Sequence, residues 1–493
     1  MTAVGGADWG HILAERAVEA ERTGRLADAR RYYEFILCLQ PDYLPLFFPL
    51  SQICLAMGRR EDARHLLRRA VGVNGGFPSA RLLGGVVEAM CGAVDEAGVL
   101  FETAMADVGK PWNLQDFRTP LADWSRFIDA MRQGYFGAVE HMGRAAPAVY
   151  GAQTVDAACP VCGSRPVTGL FSVTARQAAA HFCRSSFNAP AFHELSRHIT
   201  ALWGGEDCTI ARCGVCGFGF AHPYVAGDAH FYEVTFDEAI YPDDKWEFEA
   251  TRTALQARRD AGTPVETLLE AGAGKGAFIT SLVPGLMRAE NIAFTEYNTA
   301  WQDTLTGRGF TALPPDTISQ PPTSLHGRFD AVCAFQVIEH CARLDEIFAG
   351  FATLVRPGGS LFVAMPGTPM TELAERSGGV IDMPPNHIGR WTPAALDIMG
   401  RRHGWTVVEC RLDPKETPAD RLRFLQSSLF MREIQIPGSL AQAISVCPDT
   451  GLRESLIQML ASWYRYRLQG TAPHLASPVF SSTLWAHLVR DQG

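Results

Sequence analysis

The sequence is short of positive charge and lacks a long apolar run. Lysine and arginine number 44 against 53 acidic residues, giving a net charge of −9. This balance argues against general nucleic-acid binding, which relies on basic surface to neutralise phosphates. The N-terminus has neither a basic region nor a long apolar region, so we expect no signal peptide. The apolar stretch Leu44–Met57 is too short for a membrane span and is interrupted by Pro49.

These absences predict a cytoplasmic protein with no membrane span and no nucleic-acid partner. In such a reducing compartment, the 13 cysteines are expected to serve as thiols and metal ligands, not as disulfides. A hydrophobic content of 47% with 20% charged residues is typical of a globular chain. At 493 residues the chain is too long for one ordinary core, so we expect two to four domains.

The stretch Val265–Phe278 predicts a nucleotide-binding corner. Val265–Leu269 is a short apolar run typical of a buried parallel strand, and it is followed by glycines at 272, 274 and 276. An apolar-periodic helix begins at Phe278. Glycines let the backbone approach a ligand closely, and free N–H groups before a helix favour negative charge. The spelling also fits the G-x-G-x-x-A dinucleotide pattern, so this corner alone does not name the nucleotide.

The segments around the corner decide between the two nucleotides. A second strand, Ile292–Phe294, leads to Glu296, which is placed to accept hydrogen bonds from ribose hydroxyls. Phe329–Gln336 predicts a buried strand that leads into Glu339-His340. A helix then ends at an Arg-Pro-Gly-Gly turn, residues 356–359, and another strand follows at Ser360–Met365.

As a set, these segments resemble the class I S-adenosylmethionine-dependent methyltransferases over roughly residues 241–490. The resemblance implies an α/β Rossmann-like domain with a seven-stranded sheet, in which Thr406–Cys410 is strand six and Thr483–Val489 the antiparallel last strand. It also implies S-adenosylmethionine as cofactor and a set of residues that contact it. Among them, Tyr241 and Trp246 are expected to belong to a helix that lies over the cofactor. The candidate cofactor-binding residues are Glu270, Gly272, Ala273, Gly274, Gly276, Glu296, Gln336, Tyr241 and Trp246.

Two histidines are candidates for a catalytic base. His340 follows strand four, close to the expected methyl position, and His387 lies in a P-x-H-I-x-x-W stretch that is common in similar transferases. Histidine fits because its pKa lies near neutrality. Glu339-His340 often only ties a strand to a helix, so methyl transfer without a protein base stays open.

The first 110 residues contain a 34-residue repeat. Gly24, Gly58 and Gly92 begin the same phrase three times, and alanines at 29, 63 and 97 keep the same spacing. Period and positions resemble the tetratricopeptide repeat, which implies an all-α array whose concave surface binds a protein partner or a substrate. Packing within the protein is the alternative. The arginines at 59, 60, 64, 68 and 69 could contact an acidic partner, or could simply lie on a solvated helix face.

A cysteine module is expected between the repeats and the transferase. Cys159-Pro-Val-Cys162-Gly and Cys213-Gly-Val-Cys216-Gly are two C-x-x-C-G knuckles that together supply four thiolates, the ligand set of a structural zinc. The knuckles are about fifty residues apart, and Gln177–Trp203 predicts a helical insert between them. The second knuckle resembles a segment that leads into many bacterial methyltransferases, where the ribbon is a lid or docking element.

The chain is therefore expected to have four parts. These are tetratricopeptide repeats at 1–110, a helical connector at 111–150, a zinc-ribbon module at 151–235 and a class I methyltransferase domain at 236–493 with a helical insertion at about 411–480. The insertion either shapes a substrate pocket or supplies a dimer contact or local core.

The expected activity is methylation of a small molecule, a sugar or a surface-polysaccharide precursor, with the repeats recruiting a partner or the substrate. This acceptor class rests on analogy at the level of fold. The alternatives are a protein methyltransferase recruited by the repeats and a catalytically inactive adaptor that binds the cofactor.

Overall fold

The computed structural model divides the chain into two compact units. The first comprises Met1–Pro147, Ala374–Val380 and Leu422–Ala472, and the second comprises Ala148–Leu373, Ile381–Arg421 and Pro473–Gly493. The structure describes residues 9–22, 25–73, 77–133, 153–183, 188–235, 244–283, 285–379, 383–436, 438–468 and 472–492. Among these residues, no helix is both long enough and apolar enough to cross a membrane.

Helices with a regular spacing form the N-terminal part of the first unit. They are α1 (Trp9–Arg22), α2 (Leu26–Leu39), α3 (Leu44–Ala56), α4 (Arg60–Gly72), α5 (Pro78–Met90), α6 (Val94–Asp107), α7 (Leu114–Arg118) and α8 (Ala122–Gln133). Helices α2, α4 and α6 begin at residues 26, 60 and 94, which are 34 apart. Each packs against the helix before it. The N-terminal helical region is thereby confirmed, while its membership of the tetratricopeptide family remains a prediction.

Small residues permit the close packing of these helices. The repeated alanines Ala29, Ala63 and Ala97 are completely buried. Gly58 and Gly92 follow α3 and α5 with φ values of 72° and 82°, a left-handed conformation that glycine adopts without steric cost. The sequence repeat therefore marks the helix-helix contacts and the turns between them.

A buried glutamate binds two of the arginines that are candidates for partner recognition. Arg64 and Arg68 donate hydrogen bonds of 2.7 to 3.1 Å to Glu88, which is 3% exposed. Burial alone would raise the pKa of Glu88, but the hydrogen bonds from the two guanidinium groups lower it. These arginines therefore hold α4 to α5.

The second unit begins with an antiparallel sheet and three helices. These elements are β1 (Gln153–Thr154), β2 (Val167–Thr174), α9 (Ala175–Phe182), α10 (Ala189–Trp203), β3 (Asp207–Cys213), β4 (Gly219–His222) and α11 (Ala229–Thr235). β2 pairs with β1 and β3, and β3 pairs with β4. The predicted helical insert corresponds to α9 and α10, which connect β2 to β3. Thr174 starts α9 with a capping box, and Asn188 caps α10.

Alternating strands and helices follow, as predicted for the transferase. They are α12 (Trp246–Asp260), β5 (Leu268–Ala271), α13 (Ala277–Leu282), β6 (Ile292–Thr295), α14 (Thr299–Gly307), β7 (Thr311–Leu313), β8 (Phe329–Phe335), α15 (Leu344–Leu354), β9 (Val355–Pro366), α16 (Thr368–Arg376), β10 (Gly389–Arg390), α17 (Pro393–Arg402) and β11 (Trp405–Leu412). The remaining elements are α18 (Pro418–Glu433), α19 (Leu440–Ser445), α20 (Thr450–Arg467), α21 (Ala472–Ala476) and β12 (Thr483–Arg490).

Seven strands form one mixed sheet in the order β11-β12-β9-β8-β5-β6-β7. β12 is antiparallel to both neighbours, whereas the pairs from β9 to β7 are parallel. Successive residues of a strand point to opposite faces. Accordingly, Val332 and Ala334 of β8 belong to one buried cluster, and Ala331 and Cys333 belong to another. The predicted α/β domain with a mixed seven-stranded sheet is confirmed.

The Arg-Pro-Gly-Gly stretch lies inside a strand and not before it. β9 begins at Val355, which pairs with Phe329, and the register then moves to Ser360 opposite Ala331. Arg356 contacts Asp330 at 2.6 Å, and Asp330 also accepts the backbone N–H groups of Glu266 and Thr267. Asp330 of β8 therefore anchors the segment that leads into β5.

The segment between β11 and β12 contributes helices to the first unit. In that unit, α19 packs against α8, and α20 packs against α5 and α6. Lys110 and Glu454 form an ion pair at 2.8 Å. In the second unit, Arg421 donates a 2.7 Å hydrogen bond to the carbonyl of Leu475, so the two ends of this segment lie together. Much of the predicted insertion thus packs with the N-terminal helices.

Candidate functional site

The glycine corner follows β5 at the carboxyl edge of the parallel strands, where open α/β sheets bind ligands. Gly272, Gly274 and Gly276 have φ values of 67°, 54° and 74°, a region that side chains other than glycine rarely adopt. A Cβ on Gly276 would lie 2.2 Å from the Leu305 side chain. The backbone of Ala273 donates a 3.0 Å hydrogen bond to Thr295, which fixes the turn against β6. Positions 272, 274 and 276 of this turn therefore favour glycine.

Glu296 lies directly beside the corner, as its position after β6 predicts. Its Oε2 accepts a 2.7 Å hydrogen bond from the backbone N–H of Gly274. Its Oε1 accepts from the N–H groups of Tyr297 and Asn298 at 2.7 and 2.9 Å. Because three donors hold the carboxylate, its orientation at the turn is fixed before any ligand binds.

Glu270 is buried beneath the corner. The side chain is 3% exposed, and its Oε2 has no hydrogen-bond partner among the described residues. Burial raises the pKa of Glu270 well above its usual range. A buried carboxyl oxygen without a partner is costly, and a ligand donor at the corner would satisfy it.

The end of β8 adds Gln336 to the same edge. Gln336 has φ 57°, and within the described part of the chain it is the one residue other than glycine with positive φ. Its amide donates a 3.3 Å hydrogen bond to Glu247 on α12, whose pKa is raised by burial. Trp246 begins α12, and the guanidinium of Arg411 lies 5.6 Å from its ring. Tyr241 lies outside the described residues.

The two candidate bases lie together with a third side chain. The rings of His340 and His387 are 4.6 Å apart and nearly perpendicular. One ligand atom of each histidine and a carboxylate oxygen of Glu339 all lie within 4.8 Å of one another. Glu339 is completely buried, and the histidines are partly exposed. The sequence placed the histidines in this region but gave Glu339 no role in chemistry.

The four knuckle cysteines converge. The Sγ atoms of Cys159 and Cys216 are 3.6 Å apart, those of Cys162 and Cys213 are 3.5 Å apart, and all four lie within 4.8 Å of one another. A tetrahedral zinc with Zn–S bonds of about 2.3 Å separates its sulfurs by about 3.8 Å. The donor set therefore fits a structural zinc, which four thiolates would enclose completely.

The cysteine module is joined to the segment that carries His387. β10 pairs with β4, so that Gly389 lies opposite Phe220. The hydroxyl of Thr392 donates a 2.7 Å hydrogen bond to the carbonyl of Cys216. The position of His387 is therefore tied to the fold of the cysteine module.

Sequence reasoning missed two residues near these groups. Glu247 contacts Gln336 from α12, and the hydroxyl of Tyr232 lies 3.2 Å from Nδ1 of His340. Neither belongs to a motif, and each reaches its partner across about 90 residues or more of chain. Only the three-dimensional fold reveals these contacts.

Comparison with known proteins matches one part of the chain to a family. Residues 244–410 match the family model described as Methyltransferase domain. The chain is similar in structure to a 1,6-didemethyltoxoflavin-N1-methyltransferase from Burkholderia thailandensis with bound S-adenosylhomocysteine, at 12% identity over 50% of this chain and 80% of that one, with a TM-score of 0.29. It is likewise similar to the N-methyltransferase NodS from Bradyrhizobium japonicum, at 13% identity over 50% and 99% of the two chains, with a TM-score of 0.28. The sequence has no match among curated proteins. Residues 244–410 therefore form a methyltransferase domain, and the order of the seven-stranded sheet is that of class I.

Proposed function

We propose that the protein is an S-adenosylmethionine-dependent methyltransferase of a small molecule, a sugar or a surface-polysaccharide precursor. The observation that carries the proposal is the left-handed turn of Gly272, Gly274 and Gly276, with Glu296 beside it at the carboxyl edge of the sheet. When bound, S-adenosylmethionine supplies a methyl group already activated on a sulfonium. The protein then has to hold the cofactor and align the acceptor.

The residues at the corner divide the binding of the cofactor among them. The glycines and Ala273 provide a backbone surface without side chains for the ribose and methionyl part. Glu296 is held by three backbone donors and presents its carboxylate toward the ribose diol. Glu270 offers its buried oxygen from below. Gln336 borders the methionine portion, and Trp246 forms the wall on the side of α12.

The alignment of the acceptor falls to the group around His340 and His387. Either imidazole could accept a proton from the acceptor, since an unperturbed histidine titrates near neutrality. Transfer without a protein base stays the third alternative. A histidine base, whether His340 or His387, would make the rate fall as the pH drops through its pKa, whereas transfer without a protein base would not.

The cysteine module and the helical repeats are accessories in this proposal. A structural zinc at Cys159, Cys162, Cys213 and Cys216 would hold the two knuckles together, and through β4 and β10 it would support the segment around His387. The helical repeats would recruit a partner or a carrier-bound substrate. A groove of about 600 Å³ lined by residues of α4, α5 and α6 is available for such a partner.

Calorimetry with S-adenosylhomocysteine tests the proposal. The purified protein should bind it with a micromolar dissociation constant, and Gly274→Arg should abolish binding by filling the turn with a side chain. Gly262→Arg is a matched control, because Gly262 has a similar φ of 77° but lies in open space away from the corner. Tight binding of a nicotinamide dinucleotide in place of S-adenosylhomocysteine would refute the proposal that the glycine corner binds S-adenosylmethionine.

A further inference from the structure

We propose that Glu339, His340 and His387 bind a divalent cation, and that this cation holds an acceptor through oxygen atoms. The three side chains lie beyond the carboxyl end of β8, on the same sheet edge as the glycine corner. The inference rests on the proposed function and narrows its substrate class. It also gives the two histidines the role of ligands in place of general bases.

The spacing of the donor atoms is close to what a cation requires. Nitrogen and oxygen ligands lie about 2.1 Å from a first-row divalent cation, so two of them are at most about 4.2 Å apart. In the structure the three donor atoms lie within 4.8 Å of one another. Small side-chain rotations are sufficient to close the difference.

The tautomer of His340 is the one that a metal ligand needs. Its Nδ1 lies 2.8 Å from the carbonyl oxygen of Asn386. Because a carbonyl only accepts hydrogen bonds, Nδ1 carries the proton of the neutral ring, and Nε2 is the nitrogen that can bind a metal. Histidines that bind metals characteristically donate their second ring N–H to a carbonyl or a carboxylate. The backbone at Asn386 thus performs this orienting function.

Charge favours a cation at the same place. Glu339 is completely buried, and a buried carboxylate stays ionised only when positive charge lies beside it. A dication held between this carboxylate and the two imidazoles would supply such charge. One carboxylate with two imidazoles is a ligand set of divalent first-row metals such as Mn²⁺, Fe²⁺ and Zn²⁺.

The two ligand-bearing segments are fixed to each other before any metal arrives. The N–H of Ile388 donates a 2.9 Å hydrogen bond to the carbonyl of Glu339. Through β10, the segment after His387 also pairs with β4. The ligands thus come from a turn and a segment that two sets of backbone hydrogen bonds hold in place, which reduces the cost of organising the site.

The geometry also indicates the acceptor class. Three protein ligands leave coordination positions open, and the partial exposure of His340 and His387 places those positions on the accessible side. An acceptor with two neighbouring oxygens, such as a vicinal diol or a hydroxy acid, would fill two of them. The methylated atom in such an acceptor is an oxygen, because oxygen is what the cation holds next to the cofactor.

The test is a titration of the full-length, zinc-loaded protein with Mn²⁺, in which the signal of free Mn²⁺ is followed by electron paramagnetic resonance. The wild type should bind one Mn²⁺ per chain in addition to zinc. Glu339→Gln and His387→Ala should each weaken that binding at least about 100-fold, since each removes a direct ligand. His326→Ala is the matched control, because His326 is an exposed histidine elsewhere in the same domain.

Binding of S-adenosylhomocysteine is measured on every variant. Retention of this binding shows that the variants are folded and that the proposed function stands independently of the cation. The inference is wrong if the wild type binds no Mn²⁺, or if Glu339→Gln and His387→Ala bind it as the wild type does. If the wild type itself does not bind S-adenosylhomocysteine, the proposed function is wrong.

Discussion

Replacing Gly276 with alanine should damage the glycine corner more than the same change at a control glycine. Gly276 and Gly262 have φ values of 74° and 77°, so both substitutions force alanine into the left-handed region. A Cβ at Gly262 meets nothing within 4 Å, whereas one at Gly276 would lie 2.2 Å from Cδ2 of Leu305. Leu305 is completely buried.

These contacts set the size of the two effects. The left-handed conformation costs alanine roughly 1–2 kcal/mol at either position. Overpacking against a buried side chain adds about 1–3 kcal/mol at Gly276. We therefore expect Gly262→Ala to lower the free energy of unfolding by about 1–2 kcal/mol and Gly276→Ala by about 2–5 kcal/mol. Leu305→Ala combined with Gly276→Ala should lose less than the sum of the single changes, since the shorter side chain removes the clash.

Denaturant unfolding with and without S-adenosylhomocysteine measures both effects. The transition of the methyltransferase domain is the one that the ligand shifts to higher denaturant. The dissociation constant of the ligand should rise for Gly276→Ala and stay unchanged for Gly262→Ala. Equal losses of stability in the two variants would show that Leu305 does not restrict position 276 and that the turn is looser than the structure indicates.

Three further outcomes follow from other parts of the chain. Metal analysis should find about one zinc per chain, and Cys213→Ser should lower both the zinc content and the melting temperature. Burial lowers the pKa of His487 from 6.5 to about 4, so the unfolded chain binds a proton that the folded protein does not. The stability is therefore complete above pH 6.5 and falls by up to about 3 kcal/mol as the pH drops to 4, a loss that His487→Gln should remove in melting curves. Deleting residues 1–152 should cause aggregation, because the deletion uncovers α19 and α20. The same deletion with residues 422–472 replaced by a short linker should remain soluble and bind S-adenosylhomocysteine. Aggregation of both forms would refute the division of the chain into these two units.

Local patterns were sufficient to predict most of the methyltransferase sheet. The run from Val265 through the three glycines contains both the strand and its turn, and the buried strand at Phe329–Phe335 was recognisable from apolar residues alone. The confirmed mixed sheet of seven strands follows from the alternation of strand and helix patterns along this part of the chain. The 34-residue spacing similarly predicted helices that begin at fixed intervals.

Contacts between distant segments were beyond such patterns. Helical spacing identified α20 but could not show that this helix packs against α5 and α6, more than 340 residues earlier. Glu339 was recognised only as a neighbour of His340, because its proximity to His387 depends on a hydrogen bond to Ile388. The pairing of β10 with β4 could not be predicted either, because β10 consists of only two residues, Gly389 and Arg390.

Transfer of a labelled methyl group tests the central claim most directly. The protein is incubated with S-adenosylmethionine labelled in the methyl group and with extract of its source organism, and the label is followed into an acceptor by mass spectrometry. The account predicts labelling of an oxygen-bearing small molecule or glycan precursor by the wild type, and none by Gly274→Arg. The account is contradicted if the wild type binds the cofactor but labels no acceptor in the extract, or if Gly274→Arg labels the acceptor as well as the wild type does.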